Sequence, residues 1–408
     1  MPFASLGLAP ALARAAADLG YTDPTPIQTA AIPAVLAGRD VWGSAQTGSG
    51  KTAAYALPLL QRLADSATPR KTQSLVLVPT RELAAQVGEV LRGLTVHLEA
   101  APKIAVAFGG VSINPQMMGL RGGADIVVAT PGRLLDLVGH NALSLAGTRT
   151  LVLDEADRLL DLGFADELAR ILKLLPPSRQ TLMLSATYAP PVQALAAAML
   201  RQPQHIDGPD SPADAPDILQ RAIEVDPARR TQLLRRLIEE ARWPRVLVFV
   251  ASRYGAELVA HKLERAGLQA RAFHADFSQG ARAEILADFK AGRLQIVVAT
   301  DVAARGIDIP GLEAVVNYDL PRAALDYQHR IGRTGRAGAS GVALSFISAA
   351  GEPHFRLIEK RQGQRVPREQ VAGFEPVEAA LSGDAAHGGI KGRRPSKKDK
   401  LRQAAAGG

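Results

Sequence analysis

The chain has 408 residues, long for one compact domain and suited to two or three. An apolar fraction of 47% and a charged fraction of 22% exclude a wholly disordered chain. The absence of cysteine excludes disulfides, thiolate zinc sites and cysteine catalysis, while 48 basic against 40 acidic side chains leave +8, a balance compatible with a polyanionic partner.

In chain order, residues 9–17 are small and apolar, but no basic segment precedes them, and Arg14 and Asp18 break the run. This predicts an amphipathic helix rather than a signal peptide. No stretch approaches ~18 consecutive apolar residues, so no membrane span is expected and the chain is read as cytoplasmic. Residues 45–52 read AQTGSGKT. Such a Gly/Ser loop lets backbone N–H groups point at phosphate oxygens, and a helix starting near Lys51 adds its positive dipole end. Lys51 can reach the β- and γ-phosphates, and the Thr52 hydroxyl can ligate Mg2+. The strict phosphate-loop pattern has glycine where this chain has Ala45. On these residues alone, a Gly-rich turn with an exposed lysine is the competing reading.

Short continuous apolar runs occur at 75–78, 126–128, 151–153, 182–184, 246–250, 296–298 and 314–317. Stretches of helical period lie among them, at 82–91, 133–138, 256–266 and 281–290. The alternation predicts an α/β fold whose parallel sheets are covered on both faces. Ligands of such sheets bind beyond the carboxyl ends of the strands. The polar clusters PTRE, ATPGR, DEAD, SAT and ATD directly follow these strands. In DEAD, residues 154–157, Asp154 would hold Mg2+ through water, and Glu155 would orient and deprotonate an attacking water. A solvated helix N-terminus also favours acidic residues, but the phosphate loop upstream argues for the catalytic reading.

Residues 208–217, GPDSPADAPD, have the composition of a linker. They divide the body into residues 1–207 and 218–372, each the size of one domain. The two parts resemble each other. LVPTR at 77–81 has a counterpart in FVASR at 249–253, an offset of 172, and IVVAT recurs at 126–130 and 296–300, an offset of 170. Matching order and spacing argue for a duplicated fold. The second part lacks a phosphate loop but carries HRIGRTGR at 329–336. Three arginines so close are a costly local field unless an anion neutralises them, and they suit stabilisation of γ-phosphate charge from a separate domain. The chemistry alone points to a two-domain Mg2+-dependent nucleoside triphosphate hydrolase with its site in the interdomain cleft.

The charge is uneven. Residues 1–207 carry 17 basic and 16 acidic side chains, residues 208–390 carry 24 and 23, and the remaining +6 lies in the run KGRRPSKKDKLR at 391–402. Residues 373–408 show no sustained apolar period and are expected to form a disordered basic tail.

These motifs, in this order, resemble the DEAD-box ATP-dependent RNA helicases of superfamily 2, most closely the bacterial RhlE-like branch, over residues 1–372. The resemblance rests on Phe3 with GYTDPTPIQ (20–28), AQTGSGKT, PTRELAAQ (79–86), Gly109 with Gly110, TPGR (130–133), DEAD and SAT (185–187). In the second half it rests on FVASR, Gln279 with Arg282, ATDVAARGIDIP (299–310) and HRIGRTGR. Ala45 is what this family usually carries. The resemblance implies two tandem RecA-like domains and RNA-stimulated ATP hydrolysis driving local duplex unwinding or remodelling of RNA–protein complexes. It implies that Gln28 reads the adenine edge, with Phe3 stacking on the base and Thr25 supporting the loop. Ala45, Gln46, Thr47, Gly48, Ser49, Gly50, Lys51 and Thr52 would cradle the phosphates, and Asp301 would contact the ribose. Arg333 and Arg336 would be the arginine fingers. Ser185, Thr187, Asp157 and His329 would couple hydrolysis to domain closure. The RNA face would use Arg81, Gly109, Gly110, Thr130, Gly132 and Arg133 from the first domain, and Arg253, Arg282 and Thr300 from the second.

Aromatic residues make up only 4% of the chain, too few for base-stacking platforms, so recognition should run through phosphates and 2′-hydroxyls with little sequence preference. Trp42 and Trp243 are read as core. His97, His140 and His205 form no ligand grouping, so no metal beyond nucleotide-bound Mg2+ is expected. No local feature points to a protein partner or an oligomer, and a monomer is expected. Ala275 stands where the family commonly has glycine, and Ser252 where it has threonine. An ATP-gated RNA clamp would carry the same motifs, and a DNA-directed helicase of the same superfamily is disfavoured by Gln28 and Asp157. Deletion of residues 391–408 should leave the ATPase site intact, weaken RNA affinity, and flatten its salt dependence by up to ~0.7 log units for each phosphate that the tail neutralises. An unchanged salt slope would make the tail a solubilising appendage.

Overall fold

In a computed structural model of the chain, the described residues are 3–44, 49–64, 71–207, 218–304, 309, 312–335 and 340–377, without the side chains of 207, 302 and 325. The expected linker at 208–217, residues 45–48, Arg336 and the basic run at 391–402 lie outside them. The described residues form two all-parallel sheets of seven strands each. The first contains β1 (Val41–Ser44), β2 (Ser74–Leu77), β3 (Ile104–Ala107), β4 (Ile126–Ala129), β5 (Thr150–Leu153), β6 (Gln180–Ser185) and β7 (Gln204–Asp207). Its spatial order is β3-β4-β2-β5-β6-β1-β7. The second contains β8 (Ile218–Glu224), β9 (Val246–Val250), β10 (Ala270–Phe273), β11 (Ile296–Thr300), β12 (Ala314–Asn317), β13 (Gly341–Ile347) and β14 (Arg368–Glu369). Its order, β10-β11-β9-β12-β13-β8-β14, is the same sequence of positions.

The duplication extends to register. Leu77 lies opposite Ala129 in the first sheet, and Phe249 lies opposite Ala299 in the second. The repeated pentapeptides therefore lie on or at the ends of neighbouring strands in both domains.

Burial explains why those strands read as continuous apolar runs. Val76, Ile126 and Val128 join the core on one face of the first sheet, while Leu75, Leu77, Val127 and Ala129 join the core on the other. The second sheet divides Val246, Val248 and Val250 from Leu247 and Phe249 in the same way. Each face buries enough apolar surface that neither can carry polar residues without loss. The strands with no clear signal are those at edges or of mixed composition, such as β7 (QHID) and β14 (RE). Strand β1 holds Gly43 because a β-carbon there would run into the Leu184 side chain of β6.

The helix Pro10–Asp18 buries Leu12, Ala15 and Ala16, the amphipathic element expected of residues 9–17. Trp42 is half-buried against the core and meets the rings of Tyr188 and His205. No helix among the described residues is long and apolar enough to cross a membrane. At the other end, the chain stays in contact with the second domain as far as the backbone of Val377, past the boundary expected at 372. Phe374 lies beneath Arg229 and Arg236 at 4.9 and 5.9 Å, and the Val377 N–H donates to Asp226 at 2.9 Å.

Close to that end, Arg368 donates to both oxygens of Glu352 and both of Glu359 at 2.9–3.1 Å, and its guanidinium covers the Phe355 ring. Glu359 is buried, and its carboxyl is held below the usual carboxylate range first by the Arg368 hydrogen bonds. Removing the guanidinium would leave a buried carboxylate undercompensated. Arg368→Ala should destabilise the second domain by about 3 kcal/mol, read as a lowered midpoint in thermal or urea unfolding. Arg356→Ala, which removes an exposed helical partner of Glu352, should cost no more than about 0.5 kcal/mol. Equal losses in the two variants would contradict this ranking.

Candidate active site between the two domains

The helix Lys51–Ala64 starts where the phosphate loop ends. Beside it, Thr25 caps the helix Pro26–Leu36. Its backbone N–H donates to Gln28 Oε1 at 2.9 Å, and its hydroxyl donates to the Ser49 carbonyl at 2.9 Å. Gln28 Nε2 donates to the Gly50 carbonyl at 3.1 Å. Gly50 adopts φ +90°, and a β-carbon there would strike the Gln28 amide. Thr25 and Gln28 thus hold the end of the phosphate loop directly. Phe3 is buried in the first-domain core.

Behind the loop, β5 delivers the DEAD segment. Asp154, Glu155 and Asp157 are all buried. Asp154 Oδ1 accepts from the Glu155 N–H and Oδ2 accepts from the Tyr55 hydroxyl, both at 2.9 Å. Burial pushes the Asp154 carboxyl up to about 6; Lys51 opposes the shift and Glu155 adds to it. Asp157 is raised by burial as well, again with Lys51 opposing. Tyr55 is pushed well above its ordinary value by burial and by the neighbouring Asp154 charge. Glu155 sits at φ 52°, ψ 53°, in the left-handed region. A non-glycine residue held there stores roughly 1–2 kcal/mol of backbone strain. Its Oε2 lies 3.6 Å from Arg158.

Buried polar atoms without a hydrogen-bond partner gather here: Ser49 Oγ, Glu155 Oε2, both oxygens of Asp157, and Thr187 Oγ1. Each such atom typically opposes folding by about 1–3 kcal/mol until something satisfies it. A cation and a phosphate would. The donor set of hydroxyl and carboxylate oxygens suits a hard divalent ion. Among the described residues no group of three or more His, Asp or Glu could hold a metal by itself. A cation here would therefore share its coordination with phosphate and water. Ser185 Oγ donates to the Thr187 carbonyl at 2.9 Å and accepts from the Thr187 N–H at 3.2 Å, closing that loop on itself beside the acids.

The second domain faces this cluster. A small cavity is lined by Arg158 from the first domain and by Asp301, His329, Arg330 and Arg333 from the second. His329 Nε2 stands 4.0 Å from Asp157. Arg333 is buried and donates to the His329 carbonyl at 3.2 Å. Asp301 receives a two-pronged grip from Arg330 at 2.6 and 2.7 Å, and Arg330 also bonds Asn317 and the Asp319 carbonyl. The local arginine field therefore has an anion from its own chain. Arg336 lies outside the described residues.

The residues expected at an RNA face have varied surroundings. Gly109 and Gly132 have open space where a β-carbon would stand, whereas the position above Gly110 is filled by the Arg81 guanidinium. Arg133 is buried and turned inward, donating to the Val111 carbonyl at 2.7 Å, and the Gly109 N–H donates to Thr130 Oγ1 at 3.4 Å. These two brace the 109–111 loop from behind. Arg253 is exposed and pairs with Asp276, and Thr300 ends β11. Arg282 is buried and pairs across the domain interface with Glu82 at 2.9 Å. Burial lowers its pKa, with Glu82 opposing and Arg81 assisting.

Four residues of this constellation go beyond those expected: Tyr55, Glu82, Arg158 and Arg330. Glu82 and Arg330 sit inside motifs already singled out, and Arg158 follows DEAD directly. Tyr55 lies one helical turn after Lys51, on the same helix face, a spacing that could have identified it.

Two family models match the chain: DEAD/DEAH box helicase over residues 25–195 and helicase conserved C-terminal domain over residues 229–338. The chain is 42% identical over 375 residues to ATP-dependent RNA helicase DeaD of Mycobacterium tuberculosis, covering 92% of this chain and 66% of that one. It is 38% identical over 366 residues to the DEAD-box ATP-dependent RNA helicase CshA of Bacillus cereus, covering 90% and 69%. The chain thus spans about two thirds of the length of these relatives. Among solved structures it resembles S. cerevisiae Dbp5 bound to RNA and ADP BeF3, with TM-score 0.79 and 31% identity over 90% of this chain and 95% of that one.

The charge cluster has a measurable consequence for stability. The Asp154 carboxyl has a folded-state value of about 6 against an ordinary 3.8, so its ionisation opposes folding above pH 6. That stability returns as pH falls through 6 toward 4. In nucleotide-free protein with EDTA, Asp154→Asn should raise stability near pH 7 by up to about 2–3 kcal/mol, and the difference should shrink toward pH 5. Thermal unfolding at the two pH values measures this; an asparagine variant less stable near pH 7 would refute it.

Proposed function

The chain belongs to the DEAD-box helicase family, and from that premise we propose that it is an ATP-dependent RNA helicase. It hydrolyses ATP between a first domain of residues 1–207 and a second beginning at 218, and uses closure of the cleft to separate short RNA duplexes. The observation that carries this is the buried, incompletely satisfied acid cluster of the first domain facing basic side chains of the second. That arrangement is completed by a polyphosphate and its cation.

In this reading, Gln28 selects adenine. Its amide already donates once to the Gly50 carbonyl and accepts once from the Thr25 N–H, and it retains a second donor and acceptor for the edge of the base. Residues 45–50 and Lys51 bind the phosphates. Thr52 and Asp154 would hold Mg2+, which neutralises the developing phosphate charge. Glu155 takes a proton from the attacking water, its carboxylate aimed by a backbone that only the surrounding fold sustains. Arg333 and Arg336 stabilise charge on the γ-phosphate, while Asp301, held by Arg330, borders the ribose. Contact of His329 with Asp157, together with the Ser185–Thr187 loop, couples the phosphate site to domain closure.

RNA is held mainly through its backbone. Gly109 and Gly132 admit phosphates closely, Thr130 and Arg133 fix the loop that does so, and Arg81, Gly110, Arg253 and Thr300 complete the track. Arg282 serves it by pairing with Glu82, which ties the two domains together in the closed form. Differential affinity of ATP and RNA for that closed form drives the cycle.

ATP turnover should rise with added RNA and much less with DNA of the same length; turnover indifferent to RNA would overturn the proposal. Glu155→Gln should bind ATP and RNA without turnover, and Arg336→Ala should lower kcat by ~10³ with little effect on ATP affinity. Strand displacement from a short duplex distinguishes a helicase from an RNA clamp, which would retain the strand.

A further inference from the structure

We propose that the Tyr55 hydroxyl positions Asp154, the carboxylate that would hold the nucleotide-bound divalent cation, and so sets how tightly that cation is held. The inference rests on the ATP-hydrolysing reading above and goes beyond it in assigning a residue outside the recognised motifs.

Tyr55 is 2% exposed and belongs to the first-domain core. A phenylalanine would fill the same space. A hydroxyl in such a core is retained without loss only if it is hydrogen-bonded. Its hydrogen goes to Asp154 Oδ2, at 2.9 Å. With Oδ2 held by Tyr55 and Oδ1 by the Glu155 N–H at 2.9 Å, the Asp154 carboxylate plane is fixed by two donors. The lone pairs that remain are aimed before any ligand arrives. One phenol on the helix thereby fixes a carboxylate at the end of β5. No bond to the reacting atoms is involved, so Tyr55 is a positioning residue.

Tyr55→Phe tests this by removing one oxygen and leaving the ring. A fluorescent ADP analogue is titrated into the full chain at increasing Mg2+, with a parallel series in EDTA, and melting is followed by circular dichroism. The expected result is a rise of ~10-fold in the Mg2+ concentration that half-saturates the Mg2+-dependent gain in nucleotide affinity. Affinity in EDTA should be unchanged, and the same shift should appear in the Mg2+ dependence of ATP turnover. Unchanged Mg2+ dependence would overturn the proposal. So would an equal loss of nucleotide affinity with and without Mg2+, since the hydroxyl would then serve only the fold. Failure of the ATP-hydrolysing reading looks different: the parent chain itself would bind the analogue without regard to Mg2+.

Discussion

Three carboxylates share a buried volume with Lys51 and Arg158. Each element around it answers to that fact. The parallel strands end there, so backbone and side chains can approach from several elements at once. Asp154 takes two hydrogen bonds, Lys51 offsets part of the charge, and Glu155 is forced into a left-handed backbone. The remaining imbalance is not repaired within the domain. A site left short of positive charge and hydrogen-bond donors is one that ligand binding stabilises. The free energy withheld from folding becomes available for binding and for drawing the second domain in.

The second domain meets this deficit with charge compensation of its own. Its three-arginine motif would repel itself in a dry interface. Arg330 is compensated by Asp301, and farther along the interface Arg282 is compensated by Glu82. Buried pairs of this kind contribute little net stability, because desolvation consumes most of the attraction. They do punish misalignment, since either charge without its partner is strongly destabilising. The interface is therefore selective about how the domains meet rather than strongly adhesive, which suits a cleft that must open again.

Much of this was legible in the sequence, for a physical reason. Strands buried on both faces cannot conceal themselves, and Val246–Val250 is apolar throughout because both sides are covered. The phosphate-loop lysine and the DEAD acids are equally visible because their chemistry tolerates few alternatives. Edge strands were obscure because one of their sides answers to solvent. Partnerships were harder still. Nothing local indicates that Arg282 will find Glu82 or that Arg133 will turn inward to the Val111 carbonyl. An arginine in a nucleic-acid motif reads as a phosphate contact until the fold supplies a nearer acceptor. Tyr55 was missed because its hydroxyl matters only once β5 is folded alongside.

The close fit of Gly50 against Gln28 bears on how such a protein can change over generations. No side chain can be introduced at residue 50 without dislodging the Gln28 amide, and shifting that amide releases the Gly50 carbonyl. On the proposed reading, in which residue 28 meets the base and residues 45–50 meet the phosphates, a side chain at residue 50 would disturb both contacts at once.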